Sequence, residues 1–144
     1  MQKSHAQAKW EGTLKQGKGV MKLGSGAFEG AYSFASRFEG AAGTTPEELI
    51  AAAHAGCFSM ALAMLLEQAG YEPRQIQTEA EVTLDQVDDG FKITAIELQT
   101  KAEVPGIDAD AFEQQAQAAK KGCPVSQALA ATRIELKTEL NASR

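Results

Sequence analysis

The sequence predicts an α+β fold in the order βββ-α-ββ-αα-β. Three observations carry that prediction. Short runs of alternating apolar and polar residues occur before residue 40 and again after residue 75, as half-buried strands require. A single long stretch without Asp, Glu, Lys or Arg, Leu49 to Leu66, separates them. Strands and helices are not interleaved one by one, as they are in a doubly wound parallel sheet.

The elements follow in order. Ala6, Ala8 and Trp10 alternate with polar residues, and Leu14 begins a second short run. Glycines from Gly17 to Gly30 mark turns or bulges, and Tyr32, Phe34 and Phe38 suggest a third strand ending at Gly40. Thr45-Pro46-Glu47-Glu48 reads as a helix start, with Thr45 as N-cap, Pro46 in the first helical position and Glu48 closing a capping box; Gly70 is the matching stop. The uncharged length of this helix prompts a membrane-spanning reading. Its many alanines, and His54, Gly56, Cys57 and Ser59 at its centre, argue instead for a helix buried on nearly all sides, covered in part by a second chain.

Residues 75 to 104 read as a hairpin turning at Asp88-Asp89-Gly90. The apolar phase switches after Ala95, which predicts a β-bulge there. Asp108 caps a helix ending at Lys121-Gly122, Cys123-Pro124 starts a short helix, and Ile134, Leu136 and Leu140 make a last strand. No repeat or linker divides the chain, so residues 1–144 are expected to form one domain.

The 144 residues carry 19 acidic and 14 basic side chains, a formal net charge of −5, which gives no general attraction to nucleic acid or to an anionic membrane. The polar start, Met1 to Leu14, has no apolar core of a signal peptide, so a reducing cytoplasm is expected. Two cysteines, Cys57 and Cys123, are then free, metal-bound or redox-active. Cys57 reads either as a small buried hydrophobe or as a nucleophile with His54 three residues earlier on the same helix face. Cys123, in Lys120-Lys121-Gly122-Cys123-Pro124, follows two lysines and precedes a helix start, both of which favour a thiolate.

Other chemistries are weaker. His5, His54, Cys57 and Cys123 match no common zinc spacing, and no metal site is expected. Gly24, Gly26 and Gly30 spell no dinucleotide fingerprint, and no nucleophile elbow surrounds Ser59 or Ser126, the serines considered for hydrolysis. Arg37, in Arg37-Phe38-Glu39, is either a solvated strand end or a guanidinium that stabilises a thiolate; Glu47 or Glu48 would hold it.

Arg37-Phe38-Glu39-Gly40, the run from Gly43-Thr44-Thr45-Pro46 through His54-Ala55-Gly56-Cys57-Phe58-Ser59 to Leu62, and Cys123-Pro124-Val125-Ser126 together resemble the OsmC/Ohr family of osmotically inducible and organic hydroperoxide resistance proteins. His54 and the Arg37-Phe38-Glu39 run resemble the OsmC branch. The resemblance implies an intertwined homodimer, with two buried central helices wrapped by antiparallel sheets. It implies a thiol peroxidase that reduces organic hydroperoxides, with Cys57 as peroxidatic cysteine, Cys123 as resolving cysteine, Arg37 activating the thiolate and Glu47 as the carboxylate partner of Arg37. It implies no bound cofactor and recycling by an external lipoyl-type dithiol, with a role in oxidative and osmotic stress.

On this reading Phe34, Phe58, Met60 and Met64 are expected to line an apolar site. One difficulty remains. Ten residues separate Glu47 from Cys57, about 15 Å along a continuous helix. Either the helix breaks near His54 to Gly56, or the carboxylate and arginine come from the partner subunit, which the apolar helix surface favours. The rival readings are a non-catalytic binding module and a redox sensor that passes its disulfide to another protein.

Overall fold

The computed structural model describes residues 1–141 and contains two compact units, Met1–Leu49 and a second from Ile50 onward. In the first unit three strands, β1 (Ala6–Glu11), β2 (Lys18–Leu23) and β3 (Glu29–Tyr32), form an antiparallel sheet in chain order. Leu14 lies in the β1–β2 connection rather than in a strand. Gly19 sits at the middle of this sheet, paired with Trp10 on one side and Tyr32 on the other. The two rings pack across it with centroids 5.4 Å apart. A Cβ at Gly19 would meet the Tyr32 ring at 2.5 Å and the Trp10 ring at 2.6 Å, so the aromatic pair requires glycine there.

The expected third strand stops at Tyr32. Phe34–Phe38 is instead a short helix, α1, so one helix is added to the predicted order. Tyr32, Phe34 and Phe38 satisfy a period of two, but Phe34 and Phe38 are also four apart. Their rings meet at 4.9 Å, the i,i+4 contact of a helix. A capping box decides it: Ser36 N–H donates to Ser33 Oγ at 3.0 Å, and Ser33 N–H donates to Ser36 Oγ at 2.8 Å.

Helix α2 spans Pro46–Gln68 without a break. Thr45 caps it as expected, accepting from Glu48 N–H at 2.9 Å, while the Glu48 carboxylate accepts from Thr44 Oγ1 at 2.7 Å and does not complete a box. Its end is a Schellman turn: Tyr71 N–H donates to Leu66 O, Gly70 N–H donates to Glu67 O, and Gly70 takes φ +94°, which glycine adopts without strain.

In the second unit β4 (Gln75–Val87) and β5 (Gly90–Glu103) form the hairpin. Its register passes from Thr83↔Ala95 to Leu84↔Ile93, leaving Thr94 as the extra residue of the expected bulge. Helices α3 (Ala109–Gly122) and α4 (Pro124–Ala128) follow, then β6 (Arg133–Asn141). The sheet order is β4-β5-β6, and β6 runs parallel to β5. The sheet is therefore mixed rather than wholly antiparallel: α3 and α4 supply the crossover that a parallel neighbour needs.

Phe58, Leu62 and Leu66 of α2 pack with Leu98 and Ala102 of β5, with Val104 and Ile107 beyond it, and with Phe112, Ala116 and Ala119 of α3. By length and composition α2 could cross a membrane. The stripe at 54, 58, 62 and 66 is buried, but Met60 and Met64 on another face are 76% and 51% exposed, so α2 is not covered on all sides by its own chain.

Candidate active site

The two cysteines meet in the second unit. Cys57 lies half-buried in the middle of α2, and Cys123 is fully buried between α3 and α4. Pro124 explains the position of Cys123. A residue before proline is excluded from helical geometry, and Cys123 takes ψ 125°, which ends α3 and begins α4. The Cys123 N–H still closes the last turn of α3 on Ala119 O at 2.9 Å. The two Sγ atoms are 2.9 Å apart, both cysteines are free, and a short closure separates this contact from the roughly 2.05 Å of a disulfide.

Burial pushes the Cys57 thiol up, and its hydrogen bond with Cys123 acts in the same direction, against a smaller opposing contribution from the backbone of Val125. Burial also pushes Cys123 up. Its hydrogen bonds with Cys57, with the N–H and hydroxyl of Ser126 and with the backbone of Val125 outweigh that and leave it below the ordinary thiol value. Lys120 and Lys121, expected from the sequence to favour the thiolate, are not among these sources.

Behind Cys123 lies a pairing that sequence reasoning missed. His54, one turn before Cys57 on α2 and fully buried, places Nε2 2.7 Å from Ser126 Oγ, and Ser126 N–H donates to Cys123 Sγ at 3.5 Å. Burial holds His54 below its ordinary pKa, and its Nδ1 has no hydrogen-bond partner among the described residues. The signal that His54 shares a face with Cys57 was legible in the sequence; its contact with Ser126, from a distant segment, was not. Among the described residues, no carboxylate bonds His54 Nδ1 to complete a hydrolytic triad on this pair. Ser59 is engaged elsewhere, with Oγ 2.8 Å from Ala55 O and 2.7 Å from Thr78 Oγ1. Among the described residues, no three His, Cys, Asp or Glu side chains stand together as metal ligands would.

Arg37 and Glu47 meet in the first unit. Arg37, in the last turn of α1, donates from Nε to Glu47 Oε1 at 3.0 Å and from Nη2 to Glu47 Oε2 at 2.8 Å. This two-pronged match of guanidinium and carboxylate is the geometry that fixes an arginine in orientation as well as in place. Donating to the Glu47 carboxylate raises the Arg37 pKa further, against a smaller effect of burial. The Glu48 carboxylate is engaged by the Thr44 hydroxyl, and Glu47 is the carboxylate that holds Arg37. The guanidinium carbon also lies 5.3 Å from the centroid of the Phe38 ring. Arg37 borders a cavity of about 220 Å³ walled by Trp10, Leu14, Tyr32, Phe34 and Phe38. Of the residues expected to line an apolar site, Phe34 does so. Phe58 fills the core of the second unit, and Met60 and Met64 face outward from α2.

The family model for OsmC-like protein matches residues 39–139. Peroxiredoxin OsmC of Escherichia coli (strain K12) is 56% identical over 126 residues, covering 87% of this chain and 88% of that one. Organic hydroperoxide resistance protein OhrB of Bacillus subtilis (strain 168) is 33% identical over 104 residues, 71% of this chain and 73% of its own. The crystal structure of OhrB from Bacillus subtilis superposes with a TM-score of 0.68 at 26% identity, covering 95% of this chain and 98% of that one.

Proposed function

The chain belongs to the OsmC family and is a peroxidase, and on that premise we propose that it reduces organic hydroperoxides to alcohols through Cys57 and Cys123. The observation that carries this reading is the 2.9 Å contact between the two free sulfurs. The Cys57 thiolate attacks the distal peroxide oxygen. The O–O bond breaks, an alkoxide leaves and takes a proton to become the alcohol, and Cys57 becomes a sulfenic acid. Cys123 then attacks Cys57 Sγ, hydroxide leaves as water, and a disulfide forms. An external dithiol, of the lipoyl type, reduces it by exchange. The two electrons come from the sulfurs, so the chemistry needs no prosthetic group.

Arg37, held by Glu47, stabilises the Cys57 thiolate and the charge that develops on the departing oxygen. Because α2 runs unbroken from Pro46 to Gln68, a helix break does not bring Glu47 toward Cys57. The unbroken helix supports the composite arrangement: Arg37 and Glu47 of one protomer serve Cys57 of its partner, in a homodimer that covers Met60 and Met64 of α2. Residues 1–144 act as one such domain, in the cytoplasm, in defence against peroxide stress, without a nucleic-acid or membrane partner. The aromatic cavity beside Arg37 supports an apolar substrate. Each buried methylene contributes roughly 0.8 kcal/mol, so cumene hydroperoxide is expected to react about ten to a thousand times faster than hydrogen peroxide; equal rate constants would remove the substrate assignment.

The deciding experiment is stopped-flow consumption of cumene hydroperoxide with a lipoyl dithiol as reductant. The wild-type chain turns over repeatedly and Cys57→Ser not at all. Cys123→Ser completes one oxidation and accumulates Cys57 as sulfenic and then sulfinic acid, read by mass spectrometry. Sustained turnover in Cys123→Ser would overturn the resolving role, and a wild-type chain that consumes no peroxide would favour a binding module.

A further inference from the structure

The mechanism above uses neither His54 nor Ser126, yet both are buried, His54 completely. A polar group in such a place is costly unless it is bonded. His54 Nε2 meets Ser126 Oγ at 2.7 Å, the Ser126 N–H donates to Cys123 Sγ at 3.5 Å, the Ser126 hydroxyl lowers the Cys123 pKa, and Cys123 Sγ meets Cys57 Sγ at 2.9 Å. The result is one continuous polar chain from the interior to the half-buried Cys57. Its inner end is His54 Nδ1, buried and without a hydrogen-bond partner among the described residues.

That orphaned atom sets the polarity of the chain. A neutral imidazole carries one N–H. With the proton on Nδ1, a donor would be stranded in the core; with the proton on Nε2, only a lone pair is. Stranded N–H groups are rarer in protein interiors than under-used acceptors. The proton therefore sits on Nε2 and is donated to Ser126 Oγ. The Ser126 hydroxyl hydrogen is left free to point at Cys123.

We propose that His54 and Ser126 are positioning residues for the resolving half-reaction: His54 Nε2–H holds Ser126, and the Ser126 hydroxyl donates to Cys123 Sγ, aiming that sulfur at Cys57 and favouring its ionisation when it attacks. The proposal rests on the reading of Cys123 as the resolving thiol. In the step itself the Cys123 thiolate attacks Cys57 Sγ, the S–S bond forms and the S–O bond breaks. Hydroxide leaves and takes a proton from solvent, replacing the one that Cys123 released to solvent on ionising. The sulfenic sulfur is reduced and the Cys123 sulfur oxidised, and neither His54 nor Ser126 gains or loses a proton. The titratable side chains along this chain of contacts are His54, Cys57 and Cys123; Lys120 and Lys121 lie in the last turn of α3 just before it.

The test uses the full chain with Cys57→Ser, in which Cys123 is the remaining thiol, and follows thiolate ultraviolet absorbance against pH. Adding Ser126→Ala should raise the apparent Cys123 pKa by about one unit, a tenfold loss of thiolate at a given pH below it, as expected for one hydrogen bond to a charged group. Ser126→Thr, which keeps the hydroxyl, should restore it. In the chain with both cysteines, Ser126→Ala should slow disulfide formation after one equivalent of cumene hydroperoxide about tenfold. An unchanged titration in Ser126→Ala, or the same shift in Ser126→Thr, would overturn the proposal. The titration needs no peroxide, so it judges this inference even if the wild-type chain were to consume none. Should Ser126→Ala lose the fold, His54→Leu, which removes the donor to Ser126 and fills the space with a core side chain, is read by the same titration, and an unmoved pKa there would equally overturn it.

Discussion

The two side-chain pairs of this protein, one in each unit, are opposites in their electrostatics. Arg37 and Glu47 are locally complete: two hydrogen bonds satisfy the guanidinium edge, and the carboxylate is buried beneath it. Cys57 and Cys123 are locally incomplete. Burial raises Cys57, and among the described residues none of the influences acting on it is a cation, whereas Cys123 gathers hydrogen bonds and moves down. The sulfur assigned the first chemical step is thus the one its own surroundings leave protonated. The difference teaches that the nucleophile needs a positive charge from elsewhere. Arg37, already oriented by Glu47, is the group the proposed dimer would bring to it.

The sharpest way to break that comparison is a mixed dimer. One protomer carries Cys57→Ser and its partner carries Arg37→Ala with Glu47→Gln. On the composite reading one site regains a full set of residues, and activity rises from near zero in both parent homodimers to about half that of the wild type for each mixed dimer formed. Activity at the level of the parents, with the dimer confirmed by sedimentation, would assign the residues to their own Cys57. Met60→Asp, which puts a charge on the exposed apolar face of α2, should yield a folded monomer without activity, because a desolvated lone carboxylate disfavours the interface. A fully active dimer would show that this face is not the contact.

Single variants separate the roles within the ion pair. Arg37→Ala should slow oxidation of Cys57 by about a hundred to a thousandfold, the usual cost of losing a donor to developing charge. Glu47→Gln leaves the guanidinium in place but loosens it, so a smaller loss of about tenfold is expected. Equal losses would mean that the carboxylate acts directly rather than through Arg37. Both are read as single-turnover rates of Cys57 oxidation in the fully reduced chain, without dithiol.

The smallest effect concerns stability rather than rate. Burial holds His54 neutral, below its ordinary pKa of 6.5. Below that value the unfolded chain takes up a proton that the folded chain refuses. Stability is therefore present above about pH 6.5 and is lost as pH falls below it, by at most about 1.4 kcal/mol per pH unit. Urea midpoints at about pH 7 and about pH 5.5 should differ less in His54→Leu than in the wild type; an unchanged difference would assign the slope to other groups.

Much of this was legible from local signals. Thr45-Pro46 and Gly70 bounded α2, Asp108 capped α3, and the change of apolar phase located the bulge at Thr94 to within a residue. Each of these rests on interactions within a few residues. The Cys57 and Cys123 motifs were equally visible, because helix position and the Cys-Pro junction are local. Where reading failed, two local patterns competed. Phe34 and Phe38 fit both periods, and only the Ser33–Ser36 box selects the helix. Phe58 and Met60 looked equivalent as apolar residues, and which one faces the core depends on where the sheet lies.

What the amino-acid sequence determined alone, then, is the element order apart from α1, the caps and turns, the charge balance and the two thiols in their distinct settings, since hydrogen bonds and steric limits between near neighbours suffice for each. The tertiary structure decided what no spacing encodes. It placed β6 parallel beside β5, brought Cys123 Sγ to 2.9 Å from Cys57 Sγ, and joined His54 to Ser126 across the same gap. These contacts link segments far apart in the chain, and their geometry follows from how α2, α3 and α4 pack around a shared core, where the side chains of all three must fill one volume together.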